Sequence, residues 1–189
     1  MKRFLSLAVA AIMSVASFAQ VEAGHCYIQP QAGVTFAKWS GDGMATDMKT
    51  GFVGGLEFGY QYTEQFGVSL GALYAMQGGV GATDSALPGK KLKLDYLNVP
   101  VLFQYSPIEF LSFKAGVQPG FLLSSKLENS KLEGIKSFDF AIPVGVSFEF
   151  SNFVIDARYN IGVTSVEEES SISLTNKAIQ ITLGYKFQL

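Results

Sequence analysis

Residues Phe138–Val163 read FDFAIPVGVSFEFSNFVIDARYNIGV, and two interleaved sets run through them. Phe138, Phe140, Ile142, Val144, Val146, Phe148 and Phe150 fall on one parity. Asp139, Ala141, Pro143, Gly145, Ser147 and Glu149 fall on the other. After Ser151-Asn152 the alternation restarts, with Phe153, Ile155, Ala157, Tyr159, Ile161 and Val163 against Asp156, Arg158, Asn160 and Gly162. A period of two sends successive side chains to opposite faces of a strand. The stretch predicts a hairpin with one apolar and one polar face, and the fold turns on which face meets water.

Six further segments alternate in the same way, at about 27–38, 51–62, 66–77, 93–105, 110–124 and 177–189. The fourth strand is the least regular, because Leu102 sits on its polar parity. Three connections are short (Thr63–Gln65, Ser106–Glu109, Ser151-Asn152) and four are long, at roughly 39–50, 78–92, 125–137 and 164–176. Short turns at one end and long loops at the other describe an up-and-down meander of antiparallel strands.

Two closed architectures fit eight such strands. A lipocalin-like barrel keeps its apolar parity inside, and a membrane barrel inverts this. Glycine decides. Gly33, Gly55, Gly59, Gly67, Gly71, Gly116, Gly120, Gly145, Gly162 and Gly184 all share the polar parity. On a solvent face glycine packs nothing and weakens a strand; inside a narrow barrel it makes room for polar side chains. Aromatic residues agree. Tyr60, Tyr62, Phe66, Tyr105, Phe148, Phe150, Phe153, Tyr185 and Phe187 cluster toward the short turns, while Phe36, Trp39, Phe52, Tyr74, Phe121 and Phe138 lie toward the long loops. Two girdles around an aliphatic band suit the two membrane interfaces. The expected fold is all-β, an eight-stranded antiparallel up-and-down transmembrane β-barrel.

The 189-residue chain opens with Lys2-Arg3, an apolar run from Phe4 to Phe18, and small residues Ser17 and Ala19 before Gln20. This is a secretory signal peptide over 1–19, leaving a barrel domain over 20–189; a second cut site lies after Ala23. The apolar run is too short for a spanning helix. Removing the leader takes the basic count from 14 to 12 against 16 acidic residues. No basic run supports nucleic-acid binding. Cys26 is the single cysteine and has no disulfide partner in the chain.

The C-terminal Thr182-Leu-Gly-Tyr-Lys-Phe-Gln-Leu189 resembles the β-signal that hands barrels to the outer-membrane assembly machinery. Thr182, Gly184, Phe187 and Leu189 occupy its places, Leu189 where an aromatic is commoner. The blocks Tyr96-Leu-Asn-Val-Pro-Val-Leu-Phe-Gln-Tyr105, Lys114-Ala-Gly-Val-Gln-Pro-Gly120 and Val154-Ile-Asp-Ala-Arg-Tyr-Asn-Ile-Gly162 resemble the PorT-like outer-membrane β-barrel family of the Bacteroides group, among the small OmpX/OmpA-like barrels. That resemblance implies a bacterial outer-membrane location and, through its named member, a link to protein secretion.

The polar parity carries Glu57, Lys114, Asp139, Glu149, Asp156, Arg158 and Lys186, mostly near short turns. Counting from Ser151-Asn152 pairs Ser147 with Asp156 and Gly145 with Arg158. Glu57, Lys114, Glu149, Asp156, Arg158 and Lys186 form a near-neutral set. It reads as a plug of salt bridges filling a small barrel, with an ion or proton path as the alternative.

Enzyme chemistry is not expected. The only histidine, His25, precedes the first strand without a positioned partner, and His25-Cys26 lacks further ligands at metal spacing. No cofactor or metal is expected. In the third long loop a turn at Asn129-Ser130 would set Lys126 opposite Glu133 and Glu128 opposite Lys131. Glu167–Glu169 in the fourth reads as a solvated acidic tip, with calcium or a basic partner as the alternative. The expected role is that of a small non-porin barrel in envelope structure or surface interaction through its extracellular loops. The alternatives are a narrow channel and an accessory component of a secretion or assembly complex.

Overall fold

The computed structural model describes residues 23–41, 44–81, 91–127, 130–131, 137–165 and 175–189. The expected signal peptide and the Glu167–Glu169 tip lie outside them. The chain runs β1 (Cys26–Gly41), β2 (Met44–Asp47), β3 (Lys49–Gln61), β4 (Phe66–Gly81), β5 (Lys91–Asn98), β6 (Val101–Ile108), β7 (Leu111–Leu127), β8 (Ser130–Lys131), β9 (Phe138–Phe150), β10 (Phe153–Ser165), β11 (Thr175–Tyr185) and β12 (Phe187–Gln188). Every pairing is antiparallel.

β1 pairs on one side with β3, from Cys26↔Tyr60 to Ala37↔Lys49. On its other side it pairs with β11, from Gln31↔Gly184 to Ser40↔Thr175, and with β12 through Ile28↔Phe187. The first strand thus meets the last and the sheet closes. β5 with β6 and β11 with β12 each act as one wall strand, so eight strands make an eight-stranded barrel. The closed sheet leaves no edge with unpaired backbone groups, the condition for strands to stand in lipid.

Alternation fixes the faces. Leu56 is 55% exposed, Glu57 0% and Phe58 46%, and the same contrast runs through the wall. The polar parity is inside and the apolar parity outside, the membrane arrangement. On β11 and β12 the outward positions from Ile179 to Leu189 are all apolar or aromatic, a span that matches the 9–11 residues a tilted strand needs to cross the hydrocarbon. Aromatic contacts cluster at the short-turn end, with Phe66 stacked on Tyr105 at 5.2 Å and Phe153 edge-on to Tyr185 at 5.1 Å. Near the loops Phe121 meets Phe138 at 5.7 Å. The side chain of Trp39, expected in that upper girdle, lies outside the described residues.

The fourth wall strand is interrupted at Val99-Pro100, yet its parity holds. Tyr96, Asn98, Leu102 and Gln104 all point inward and are 1–2% exposed. Proline has no N–H to give the ladder. Gly71 accommodates its ring: a Cβ built there would lie 2.8 Å from Pro100 Cγ. Leu102, the misfit of the sequence pattern, is a lumenal side chain whose neighbour across the ladder is Gly116.

One register differs from expectation. β7 pairs with β8 through Lys126↔Lys131 and Leu127↔Ser130, so Lys126 does not oppose Glu133, and Glu128 does not oppose Lys131. The observed register differs from the expected one by two residues at each partner, and Glu128, Asn129 and Glu133 themselves lie outside the described residues. Lys93 pairs with Lys126 in turn, so three lysines occupy one rung.

A closed barrel in micelles withstands SDS without heating. Unboiled protein is expected to migrate apart from boiled protein on a gel; a single band under both conditions would contradict the closed sheet.

Candidate functional site

Asp156 and Arg158 lie two apart on β10 and share the lumenal face. Their neighbours on β9 are Ser147 and Gly145. Ser147 Oγ donates to Asp156 Oδ2 at 2.7 Å. At Gly145 a Cβ would sit 2.9 Å from Arg158 Cγ, so glycine supplies the volume that the arginine stem fills. From there the guanidinium reaches across the lumen. Its Nε donates to Asp156 Oδ1 at 2.6 Å and its Nη2 to Glu57 Oε2, on β3, also at 2.6 Å.

Lys114 of β7 completes a ring. Its Nζ lies 3.3 Å from Glu57 Oε1 and 3.0 Å from Asp156 Oδ2. Gln31 Nε2 donates to Glu57 Oε2 at 3.2 Å. Each cation therefore touches both carboxylates, and the four charges sum to zero. Burying ions is tolerable only with such pairing and with further hydrogen bonds to the remaining lone pairs. The ring ties strands from three parts of the wall, β3, β7 and β10.

A second group lies closer to the short turns. Lys186, between β11 and β12, places Nζ 2.6 Å from Glu149 Oε2. Glu149 Oε1 accepts from Ser112 Oγ at 3.0 Å and from Gln104 Nε2 at 3.3 Å. The Lys186 ammonium stands 4.6 Å from the centre of the Tyr27 ring, a cation–π contact. Tyr27 OH donates to Gln104 Oε1 at 3.4 Å. Gly59 is the space this ring occupies, since a Cβ there would collide with Tyr27 Cζ and Oη.

The six charged residues expected in the lumen fall into these two groups, while Asp139 stands apart. It accepts from Thr164 Oγ1 at 2.7 Å and from Phe140 N at 2.9 Å near the long loops. Tyr27, Gln31, Gln104, Ser112 and Ser147 were not singled out beforehand. Tyr27 carried a usable signal, because it shares parity with Gln29 and Gln31 despite being aromatic.

Above the ring the wall is mixed. Val53, Leu73 and Ala75 form an apolar patch on β3 and β4. On β1, β10 and β11, Thr35, Asn160 and Gln180 present polar atoms without protein partners. Asn176 Nδ2 donates to Gln77 Oε1, tying β11 to β4. At the C-terminus, Thr182 Oγ1 donates to Gln31 Oε1 at 3.0 Å. Gly184 is buried on the lumenal side, whereas Phe187 and Leu189 are exposed. Cys26 is a free thiol and His25 is half-buried. Among the described residues no three His, Cys, Asp or Glu side chains gather as a metal site.

The closed wall, the inverted faces and the filled lumen coincide with a match to the outer membrane protein β-barrel domain over residues 5–187. The chain belongs to that family. It is a protein of the bacterial outer membrane, set in the lipid bilayer by its wall. No curated protein matches it. Among solved structures the barrel is similar to Ail, the attachment invasion locus protein of Yersinia pestis, at 20% identity and a TM-score of 0.53, covering 87% of this chain and 99% of Ail. It is similar also to neisserial surface protein A, at 17% identity and a TM-score of 0.58, covering 86% and 97%. At these identities the likeness is one of fold.

Proposed function

We propose that this outer-membrane barrel is a closed anchor, without a catalytic role, that serves envelope structure or surface interaction through its long loops. The observation that carries this is the Glu57–Lys114–Asp156–Arg158 ring, whose side chains cross the lumen and are no more than 2% exposed. A hydrated ion would have to break several of these pairs to pass, because the lumen of an eight-stranded barrel is filled by its own side chains. The long loops are extracellular in barrels of this kind. β1, β4 and β7, at 16, 16 and 17 residues, are longer than a membrane crossing requires, so they carry those loops clear of the lipid. Ail, an attachment protein by name, is a neighbour in fold that favours surface interaction.

Planar-bilayer recording tests the closed lumen. The wild type is expected to give no steady single-channel current. Steady conductance that changes in Arg158→Ala or Glu57→Ala would overturn the plug and favour the narrow channel.

A second reading, an accessory of a secretion or assembly complex, rests on the PorT-like blocks Tyr96–Tyr105, Lys114–Gly120 and Val154–Gly162. A stoichiometric secretion component retained through gentle detergent extraction would favour it. The resemblance of the C-terminal strand to a β-signal supports Thr182, Gly184, Phe187 and Leu189 as a handle for the assembly machinery, with the exposed Phe187 and Leu189 as its contact.

A further inference from the structure

Lys38 and Lys177 are direct partners across the seam where β1 meets β11. The residues before and after them in the two strands, Ala37 and Ala178, are buried at 0% and 2%, so both lysines project to the outer face. The next outward rung toward the short turns is Phe36↔Ile179, the last apolar outward rung of this seam. The two lysines therefore face outward as neighbours at the upper end of the seam's apolar stretch.

Like charges directly opposite on neighbouring strands destabilise a sheet. Among the described residues neither lysine takes part in an ion pair. The acidic residues Glu57, Glu149 and Asp156 are sealed in the lumen on the other side of the wall. What a fixed cationic pair at a membrane surface attracts is an anion held at the same depth.

We infer that Lys38 and Lys177 form a binding site for the phosphate of an anionic outer-leaflet lipid, seated on the seam with its acyl chains against Phe36, Ile179 and Ile181. The long-loop end places this rung in the outer leaflet. One phosphate between the two ammonium groups turns a repulsive rung into a bridged one and so fastens the first strand to the last. The apolar rung beneath supplies the matching surface for the lipid tail.

The test uses the full barrel in phosphatidylcholine vesicles, alone or mixed with diphosphorylated lipid A, dephosphorylated lipid A, or phosphatidylglycerol. The readout is the temperature at which the heat-resistant gel band is lost. The net-anionic lipids, diphosphorylated lipid A and phosphatidylglycerol, are expected to raise this temperature by several degrees over phosphatidylcholine, whose phosphate is neutralised by its own choline. Dephosphorylated lipid A or free inorganic phosphate is expected to leave it unchanged. Lipid A and phosphatidylglycerol, compared with each other, identify the lipid that is preferred. K38Q/K177Q is expected to lose most of the increment while matching or exceeding the wild type in phosphatidylcholine. K177E, which pairs with Lys38, is expected to lose the increment too.

An undiminished increment in K38Q/K177Q would overturn the site. So would equal protection by inorganic phosphate. A loss of stability of K38Q/K177Q in pure phosphatidylcholine would reveal a protein-borne partner for the pair, such as Glu167–Glu169, and would also overturn it. Conductance of the barrel bears on the closed lumen alone, so failure of either proposal leaves the other standing.

Discussion

Arg158→Met is expected to cost the folded barrel about 3–5 kcal/mol, the usual penalty for stripping one partner from a buried ion pair. The substitution keeps the apolar stem beside Gly145 but leaves Glu57 and Asp156 sharing the single charge of Lys114. One negative charge then stands uncompensated in the lumen. Urea unfolding in vesicles, followed by the gel shift on boiling, measures the loss. Adding Glu57→Gln to Arg158→Met restores neutrality, with Lys114 facing Asp156 at 3.0 Å. The double variant is expected to recover a substantial part of the loss, because the two positions touch and do not act independently. A loss in the double variant equal to the sum of the singles would show that the ring is not a coupled unit.

Gly33→Ala is expected to have a comparable effect by a different route. Gly33 lies on β1 between Thr182 of β11 and Val53 of β3. A Cβ built at Gly33 collides with the carbonyl oxygen of Ile181 and comes within 2.7 Å of Thr182 Cα. Both obstacles are backbone, so the seam itself must open, and in lipid each freed backbone group costs several kcal/mol. Overpacking alone costs about 1–3 kcal/mol; backbone hydrogen bonds lost at the seam add to that. Gly67→Ala is the comparison. The atom nearest a Cβ there, at 2.8 Å, is the side-chain oxygen of Gln61, which can swing aside. Refolding yield into vesicles is expected to fall sharply for Gly33→Ala and little for Gly67→Ala. Equal yields would refute the account of the seam.

Parity separated the two faces of each strand, and the glycines told which of them is the inside. Glycine on the charged parity of Phe138–Val163 indicated a crowded interior, and Gly145 is where the Arg158 stem lies. Parity says nothing of height or of partners across the lumen. Those follow from strand tilt and shear, which no single segment encodes. Hence the grouping of Glu149 with Lys186, apart from the ring of Glu57, could not be read from spacing. Leu73, Val53 and Tyr96 show a related limit: a lumen tolerates apolar side chains, so polarity marks its wall only on average. The expected Lys126–Glu133 opposition failed for a local reason, because shifting a hairpin turn by one residue moves every partner by two, and Lys131 stands where Glu133 was expected.

Arg158 and Glu57 are 101 residues apart in the chain, and the ring draws on the second, fifth and seventh wall strands together. A half-assembled sheet holds some of these ions without their counterparts. The pairs that Glu57 makes with Arg158 and Lys114 return free energy only once the second wall strand meets the fifth and seventh. The full ring thus rewards the finished circuit and penalises stopping short. In kinetic terms it acts as a late latch, one that slows the opening of a completed barrel without hastening its formation.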